Sequence, residues 1–457
     1  MSIQSINPVN GQVVTIYTED SEQQIAGKIE HAQRAWLAWR GLSFAERAAP
    51  LRKTAELLRT RAGELASLMA VEMGKPVKDG RSEIEKCALG CEYYADNGEK
   101  FLQDEKVSTD ASNSYISFQP LGIVLAVMPW NFPFWQVFRF LAPGLLAGNC
   151  GLLKHASNVP GCALAIEQLL KDAGFPSGVF QTLMIGSKAV KQVIEHPFVK
   201  AVTLTGSTEA GKQVAQQAAS QLKKTVLELG GSDPYVILED ADLSHAAETC
   251  AQSRLVNNGQ SCIAAKRFIV VESVEKKFTE LFIERMASRT TGDPFDAKTD
   301  LGPMARIDLR DELHNQVLDN IKAGAKLILG GKLPEKKEEN AFYAPTILAG
   351  VKKGMPAYSE EIFGPVASII SVPNAEEAIR IANDSPFGLG AAVFTKDIAN
   401  GEEIARNRLE AGSCFVNSFV KSDPRLPFGG INQSGYGREL SLFGIREFVN
   451  IKTVFIK

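Results

Sequence analysis

Apolar positions change period several times along the chain, and each change marks an element. Over residues 21–75 they recur at helical spacing, with Ser43 and Glu46 forming an S-x-x-E capping box ahead of a helix to about residue 61. Helical character resumes over 82–101, and 107–119 is polar, β-prone and hairpin-like, with Asp110 and Asn113 as turn residues. From Leu121 short apolar runs alternate with helical stretches. The runs at 122–128, 151–153, 179–184, 201–205 and 225–229, separated by helical segments, predict a buried parallel sheet with helices on both faces. Such sheets bind ligands beyond the carboxyl ends of their strands.

A second βα region follows Gly231. Its pattern predicts helices over 241–257, 275–289 and 305–323 and strands at 267–271, 326–329, 366–372, 391–394 and 413–416. The last stretch, 445–455, is β-prone and is expected to pair with a partner's sheet edge. Together with the polar hairpin it predicts a homodimer or homotetramer. Residues 111–138 carry no charge, yet Pro120, Pro129 and Pro133 break any spanning helix. A buried strand followed by a loop is predicted there, and no membrane partner.

Composition narrows the classes. A chain of 457 residues exceeds one hydrophobic core and implies two or three domains. Its net charge of −3 lacks the basic footprint of a nucleic-acid binder. Seven cysteines, scattered and without metal-ligand spacing, predict a reducing compartment and no metal site. The first ten residues show no basic n-region or apolar h-region, so a cytoplasmic location is expected.

Two stretches carry candidate chemistry. In Asn258-Gly259-Gln260-Ser261-Cys262 a thiol sits among glycine and small polar residues, where the backbone can turn and leave the sulfur reachable. Glu228 is a lone carboxylate in an apolar strand that ends in Gly230-Gly231, a costly placement for a group without a task. A G-x-G-x-x-G turn is absent: Gly388 and Gly435 each begin a G-x-G, and both fail at the sixth position. Gly206 to Lys212 matches a P-loop, but Gln213 stands where Mg²⁺ needs a hydroxyl, which argues against a nucleotide triphosphatase. What remains is a strand, a Gly206-Ser207 turn and a helix N-terminus, a setting suited to a phosphate and equally to an ordinary capped helix.

Taken together, Met128 to Pro133, Gly206 to Gly211, Glu228 to Gly231, Gly259 to Cys262, Glu360 to Pro365 and Pro427 to Gly430 resemble the aldehyde dehydrogenase superfamily over nearly the whole chain. The resemblance implies an α/β fold with two Rossmann-like parallel-sheet domains and a small β oligomerisation arm. By analogy 1–102 and 121–230 bind the cofactor, 231–432 is catalytic, and 103–120 with 440–457 forms the arm.

It also implies roles. Cys262 is the nucleophile, Asn131 and the Cys262 N–H meet the oxyanion, and Glu228 is the general base for thioester hydrolysis. Cofactor contacts fall to Trp130, Lys154, Ser157, Gly206, Ser207, Glu361 and Phe363. NAD-dependent members often have a glutamate at the position of Ser157; its absence beside Lys154 predicts that NADP is preferred and NAD accepted.

Arg139, after Trp135 and Phe138 in an apolar helix, is either one half of an internal salt bridge or a contact for a substrate carboxylate. Members that oxidise succinate semialdehyde have an arginine there, as do some that oxidise lactaldehyde or glycolaldehyde. Arg139 and Trp135 are therefore expected to bind substrate, a short acidic semialdehyde with succinate semialdehyde foremost. A second arginine of some such members is Val256 here, and their second cysteine is Ala264, so no local redox switch is expected. The loop 417–425, with Ser418, Lys421 and Arg425, is a candidate for the missing contact. The alternatives are a lactaldehyde-like or broad-range enzyme, or a catalytically silent binding protein on the same fold; a CoA-acylating enzyme is disfavoured because it has no use for Glu228.

Overall fold

The computed structural model describes residues 2–457. Ser21 accepts from the Gln24 N–H and donates its own N–H to Gln24 Oε1, opening the helix Glu22–Trp39; Ser43 and Glu46 do the same for Phe44–Thr60. Glu22–Trp39 turns Ile25, Ile29, Ala32 and Trp39 inward and packs on the strands Ile123–Met128 and Cys150–His155. Val77–Phe101 starts earlier than the pattern suggested and packs on Phe44–Thr60, Ala62–Met73 and Trp135–Leu146.

Two parallel sheets organise the rest. The first has the order Gly435–Tyr436, Lys224–Glu228, Val199–Thr205, Ile123–Met128, Cys150–His155, Phe180–Thr182; all neighbours are parallel except the short first strand. Its strands are continuous apolar runs because helices cover both faces. The second sheet has seven strands, ordered Lys326–Leu329, Thr346–Ala349, Val366–Val372, Arg267–Val271, Pro234–Ile237, Gly390–Phe394, Ser413–Val416, and is parallel except at Lys326–Leu329. One apolar core gathers residues from Ile25 to Leu229 with a few from the C-terminal part, and two more lie on the second sheet.

Three strands or ladders escaped the sequence pattern. Pro234–Ile237 and Thr346–Ala349 are four residues long and begin at or just after a proline, too short to show a period. Ser2–Ile6 pairs with Val13–Thr18, a two-stranded ladder in which Ile3 and Ser5 are buried and the second strand is largely exposed.

The C-terminal stretch also differs from expectation. Its start lies in the helix Ser441–Glu447, and Val449–Ile456 pairs antiparallel with Asn113–Pro120 of its own chain. One edge of the last strand is thus used internally; the other is the outer edge of a three-stranded sheet, with Ile451 and Phe455 exposed. Among the described residues no helix is long and apolar enough to cross a membrane.

Candidate active site

At the carboxyl ends of the first sheet's strands, the backbone leaves the sheet at Pro129, Gly206 and Leu229 and encloses a cavity of about 260 Å³. Trp130, Asn131, Gly206, Ser207, Cys262, Glu361 and Phe363 line it together, although they are spread over more than two hundred positions of sequence. Gln136, Thr205 and Leu309 also line it, and no sequence signal singled them out. Trp130 and Phe363 meet edge to face, centroids 5.9 Å apart, as two apolar walls.

The cysteine loop is built by backbone in the left-handed region. Asn257, Asn258 and Gly259 follow one another at φ of 53°, 58° and 74°. A Cβ on Gly259 would stand 2.2 Å from the Gly364 carbonyl oxygen, so only glycine lets this loop touch the Glu360 to Pro365 segment. The two asparagines have polar side chains that hold the turn: Asn257 Nδ2 donates to the Asn131 and Gln260 carbonyls at 2.7 and 3.0 Å, and Asn258 Nδ2 to the Pro303 carbonyl at 2.8 Å. Asn131 Nδ2 donates to the Gln260 carbonyl at 3.1 Å, which leaves its second N–H for another acceptor.

Residues unread in the sequence hold this arrangement. Glu83 accepts the N–H groups of Phe134 and Trp135, both at 2.9 Å, at the start of the helix Trp135–Leu146. Its other oxygen pairs with buried Lys75, which donates to the Asn131 carbonyl at 3.0 Å. Lys266, also buried, donates to the Ser261 and Cys262 carbonyls and lies 3.3 Å from Glu361 Oε1. Both lysines read in sequence as ordinary charges; their partners are fixed only by tertiary contact.

Electrostatics set the resting protonation. Burial pushes the Cys262 thiol up to about 12, opposed by the Arg139 and Lys266 charges. Glu228 is held well above the usual carboxylate range, first by burial and then by the neighbouring Glu439 carboxylate, with Arg139 and Arg438 pulling it down. Its carboxyl does not line the cavity. It lies in a recess against Gly429, where an added Cβ would stand 2.7 Å from Oε1, while the adjoining Leu229 and Gly230 face the cavity.

Arg139 lies in an internal ion pair. Its Nε lies 2.7 Å from Glu439 Oε2, both side chains are buried, and the guanidinium stacks 4.6 Å over the Phe428 ring. Of the two readings of this residue, the internal salt bridge is the one observed. The charge that looked free in sequence is matched by a carboxylate three hundred positions later.

Trp135 lines a different and larger space, about 390 Å³, together with Phe132, Phe419, Val256 and several charged residues. Asn131 lines the first cavity and the next residue, Phe132, lines this one. From the loop 417–425 it is Ser422, not Ser418, Lys421 or Arg425, that reaches Trp135: Nε1 donates to Ser422 Oγ at 3.1 Å. Arg425 is exposed and paired with Asp423, and Lys421 is exposed.

The residues for a dinucleotide fit its chemistry. Lys154 is largely desolvated, which lowers its pKa, and no carboxylate among the described residues compensates it, so an anionic phosphate suits it. Ser157 is exposed beside it. Ala156 N–H donates to His155 Nδ1, which leaves Nε2 to donate to the Pro133 carbonyl at 2.9 Å, and burial lowers this imidazole to about 4. His155 thereby ties the Lys154 loop to the Asn131 loop as a neutral ring. Ser207 caps the helix Thr208–Ser220, whose N-terminus faces the same cavity side. All seven cysteines are free, and among the described residues no cluster suits a metal ion.

Known proteins resemble this chain over its full length. The profile of the aldehyde dehydrogenase family matches residues 1–454. The chain is 51% identical over 456 residues, the full length of both, to a Synechocystis protein named "Probable succinate-semialdehyde dehydrogenase [NADP(+)]". It is 47% identical over 459 residues, again full length, to succinate-semialdehyde dehydrogenase [NADP(+)] 1 of Mycobacterium tuberculosis. The crystal structure of succinic semialdehyde dehydrogenase from Streptococcus pyogenes with NADP⁺ superposes with a TM-score of 0.97, at 39% identity and 99% coverage of each chain.

Proposed function

The chain belongs to the aldehyde dehydrogenase family, and on that premise we propose that it oxidises succinate semialdehyde to succinate, with NADP preferred over NAD. The observation that carries the reading is the shared cavity of Cys262, Asn131, Glu361 and Phe363 in a chain similar over its full length to enzymes of that name. The desolvated, acid-free Lys154 beside Ser157 supports the cofactor preference.

In this reading the Cys262 sulfur adds to the aldehyde carbon after losing its proton, and the oxyanion is met by the Asn131 side-chain amide and the Cys262 backbone N–H. One such donor is worth about 2.7 to 4 kcal/mol. Trp130, Phe363 and Glu361 would hold a nicotinamide, and Gly206, Ser207, Lys154 and Ser157 its phosphates and ribose; when bound, the ring would supply an acceptor for the hydride that leaves the former aldehyde carbon as the adduct becomes a thioester. Glu228 then takes a proton from water, which attacks the thioester and frees the acid and the Cys262 sulfur. That step requires the Glu228 side chain to rotate out of its recess by Gly429. The adjoining Leu229 and Gly230 already line the cavity.

The same reading retains the domain division, with 1–102 and 121–230 for the cofactor, 231–432 for catalysis and 103–120 with 440–457 as the arm. The open outer edge of Val449–Ile456, carrying exposed Ile451 and Phe455, supports a homodimer or homotetramer. Seven unpaired cysteines support the cytoplasm.

A cofactor-reduction assay over short aldehydes with and without a terminal carboxylate tests the proposal. Succinate semialdehyde with NADP should give the highest kcat/KM. Equal values for butanal would assign a broad-range enzyme, and no burst of reduced cofactor with any aldehyde would assign a silent protein.

A further inference from the structure

Four cations reach the wall of the larger cavity: Lys75, Lys78, Lys86 and Arg289. Three are matched, Lys75 by Glu83, Lys78 by Asp300 at 2.8 Å and Arg289 by Glu248 at 2.5 Å. Lys86 alone among them, within the described residues, has no ion-pair partner. Its Nζ donates to Ser422 Oγ at 2.7 Å and sits 4.5 Å from the Trp135 ring centroid. Lys86 is half-buried, and partly desolvating an ammonium that has no ion-pair partner is unfavourable unless a ligand brings an opposite charge.

The hydrogen bonds around it leave donors without a hydrogen-bond acceptor among the described residues. Ser422 Oγ accepts from Lys86 and from Trp135 Nε1, which uses both lone pairs and leaves its hydrogen to donate. Lys86 retains two further N–H groups. An ammonium and a hydroxyl donor side by side make a two-point site for one carboxylate, and Phe132, Trp135 and Phe419 offer apolar wall for a short carbon stem.

We propose that Lys86 and Ser422, rather than Arg139, hold the terminal carboxylate of the aldehyde substrate. The proposal rests on the reading of the protein as a dehydrogenase of an acidic semialdehyde and names the residues that select that class. Arg139 is already engaged within the fold, its Nε paired with Glu439 and its Nη2 donating to Thr205 Oγ1 at 3.3 Å. In sequence Lys86 reads as one more solvent lysine; its place against Trp135 and Ser422 is what sets it apart.

A pH signature follows from the same surroundings. Burial lowers Lys86 to about 8, Arg139 acts in the same direction, and Cys87, Glu83 and Asp423 oppose it. A bound carboxylate raises it again. Affinity for an acidic aldehyde is therefore greatest below about pH 8 and falls as the free ammonium loses its proton above it.

The experiment compares succinate semialdehyde with butanal across this pH range, using the full-length wild type, Lys86→Met, Lys86→Arg and Ser422→Ala. Lys86→Met should raise KM for succinate semialdehyde by about tenfold to a hundredfold and leave butanal within about twofold. The alkaline rise in KM seen for the acid should be absent in Lys86→Met, and Lys86→Arg should keep part of the preference. If the wild type prefers the acid and both Lys86→Met and Ser422→Ala keep that preference, the inference is overturned while the proposed function stands. If the wild type does not distinguish the two aldehydes, the underlying reading fails instead. Should Lys86→Met not fold, Ser422→Ala and the wild-type pH profile for the two aldehydes decide.

Discussion

Lys266 Nζ lies 2.7 Å from the carbonyl oxygen of Cys262, so the residue that carries the candidate nucleophile is held by a buried ammonium four positions later. The same nitrogen donates to the Ser261 carbonyl at 2.9 Å and reaches Glu361 Oε1 at 3.3 Å; Glu361 in turn accepts the Gly231 N–H at 3.1 Å. One side chain thus contacts both the thiol loop and the carboxylate proposed to hold the nicotinamide. It also gives the thiol a nearby positive charge.

Replacing Lys266 by Met keeps the length and removes every donor. Each buried acceptor left unpaired costs about 1–3 kcal/mol, so the melting temperature should fall. Because Glu361 loses its anchor at the same time, KM for NADP should rise together with a fall in kcat. A destabilised protein with unchanged cofactor KM would reduce Lys266 to a purely structural group.

How much of this was legible depended on whether the signal was local. The strands of the first sheet were readable because a parallel strand covered on both faces is an unbroken apolar run, as in Ile123–Met128. Pro234–Ile237 was not, since four residues after a proline carry no period. The cavity residues emerged from motif resemblance, yet their supports did not: Lys75, Glu83 and Lys266 acquire meaning only from partners distant in sequence. Arg139 shows the limit most plainly. Its cost in an apolar helix was visible, whereas Glu439, which offsets that cost, is announced by nothing nearby.

Cofactor choice should turn on Ser157. Lys154 is desolvated and unpaired by any carboxylate among the described residues, a state that favours a phosphate over a neutral ribose hydroxyl. Ser157→Glu introduces a carboxylate that repels a 2′-phosphate, accepts from ribose hydroxyls and can neutralise Lys154. kcat/KM for NADP should drop by at least about tenfold while that for NAD holds or rises. An unchanged ratio of the two would remove Ser157 from the selectivity argument.

Glu228 makes two linked predictions from one perturbed acid. Its folded-state pKa is raised above the ordinary 4.5, so the folded chain binds the proton more tightly than the unfolded one. That contribution to stability is fully present below the unfolded value and is lost as pH rises through the folded one. Glu228→Gln removes the titration, and the variant should therefore gain in melting temperature relative to wild type as pH rises above about 4.5. In turnover the direction is opposite. Only the ionised carboxylate can accept a proton from water, so thioester hydrolysis in the wild type should speed up with pH through the same titration. Glu228→Gln should lose about 10²- to 10⁴-fold in steady-state rate while still giving a burst of reduced cofactor, because acylation of Cys262 precedes the step that needs the base. A variant that lost the burst along with the steady state would shift Glu228 from hydrolysis to activation of the thiol itself.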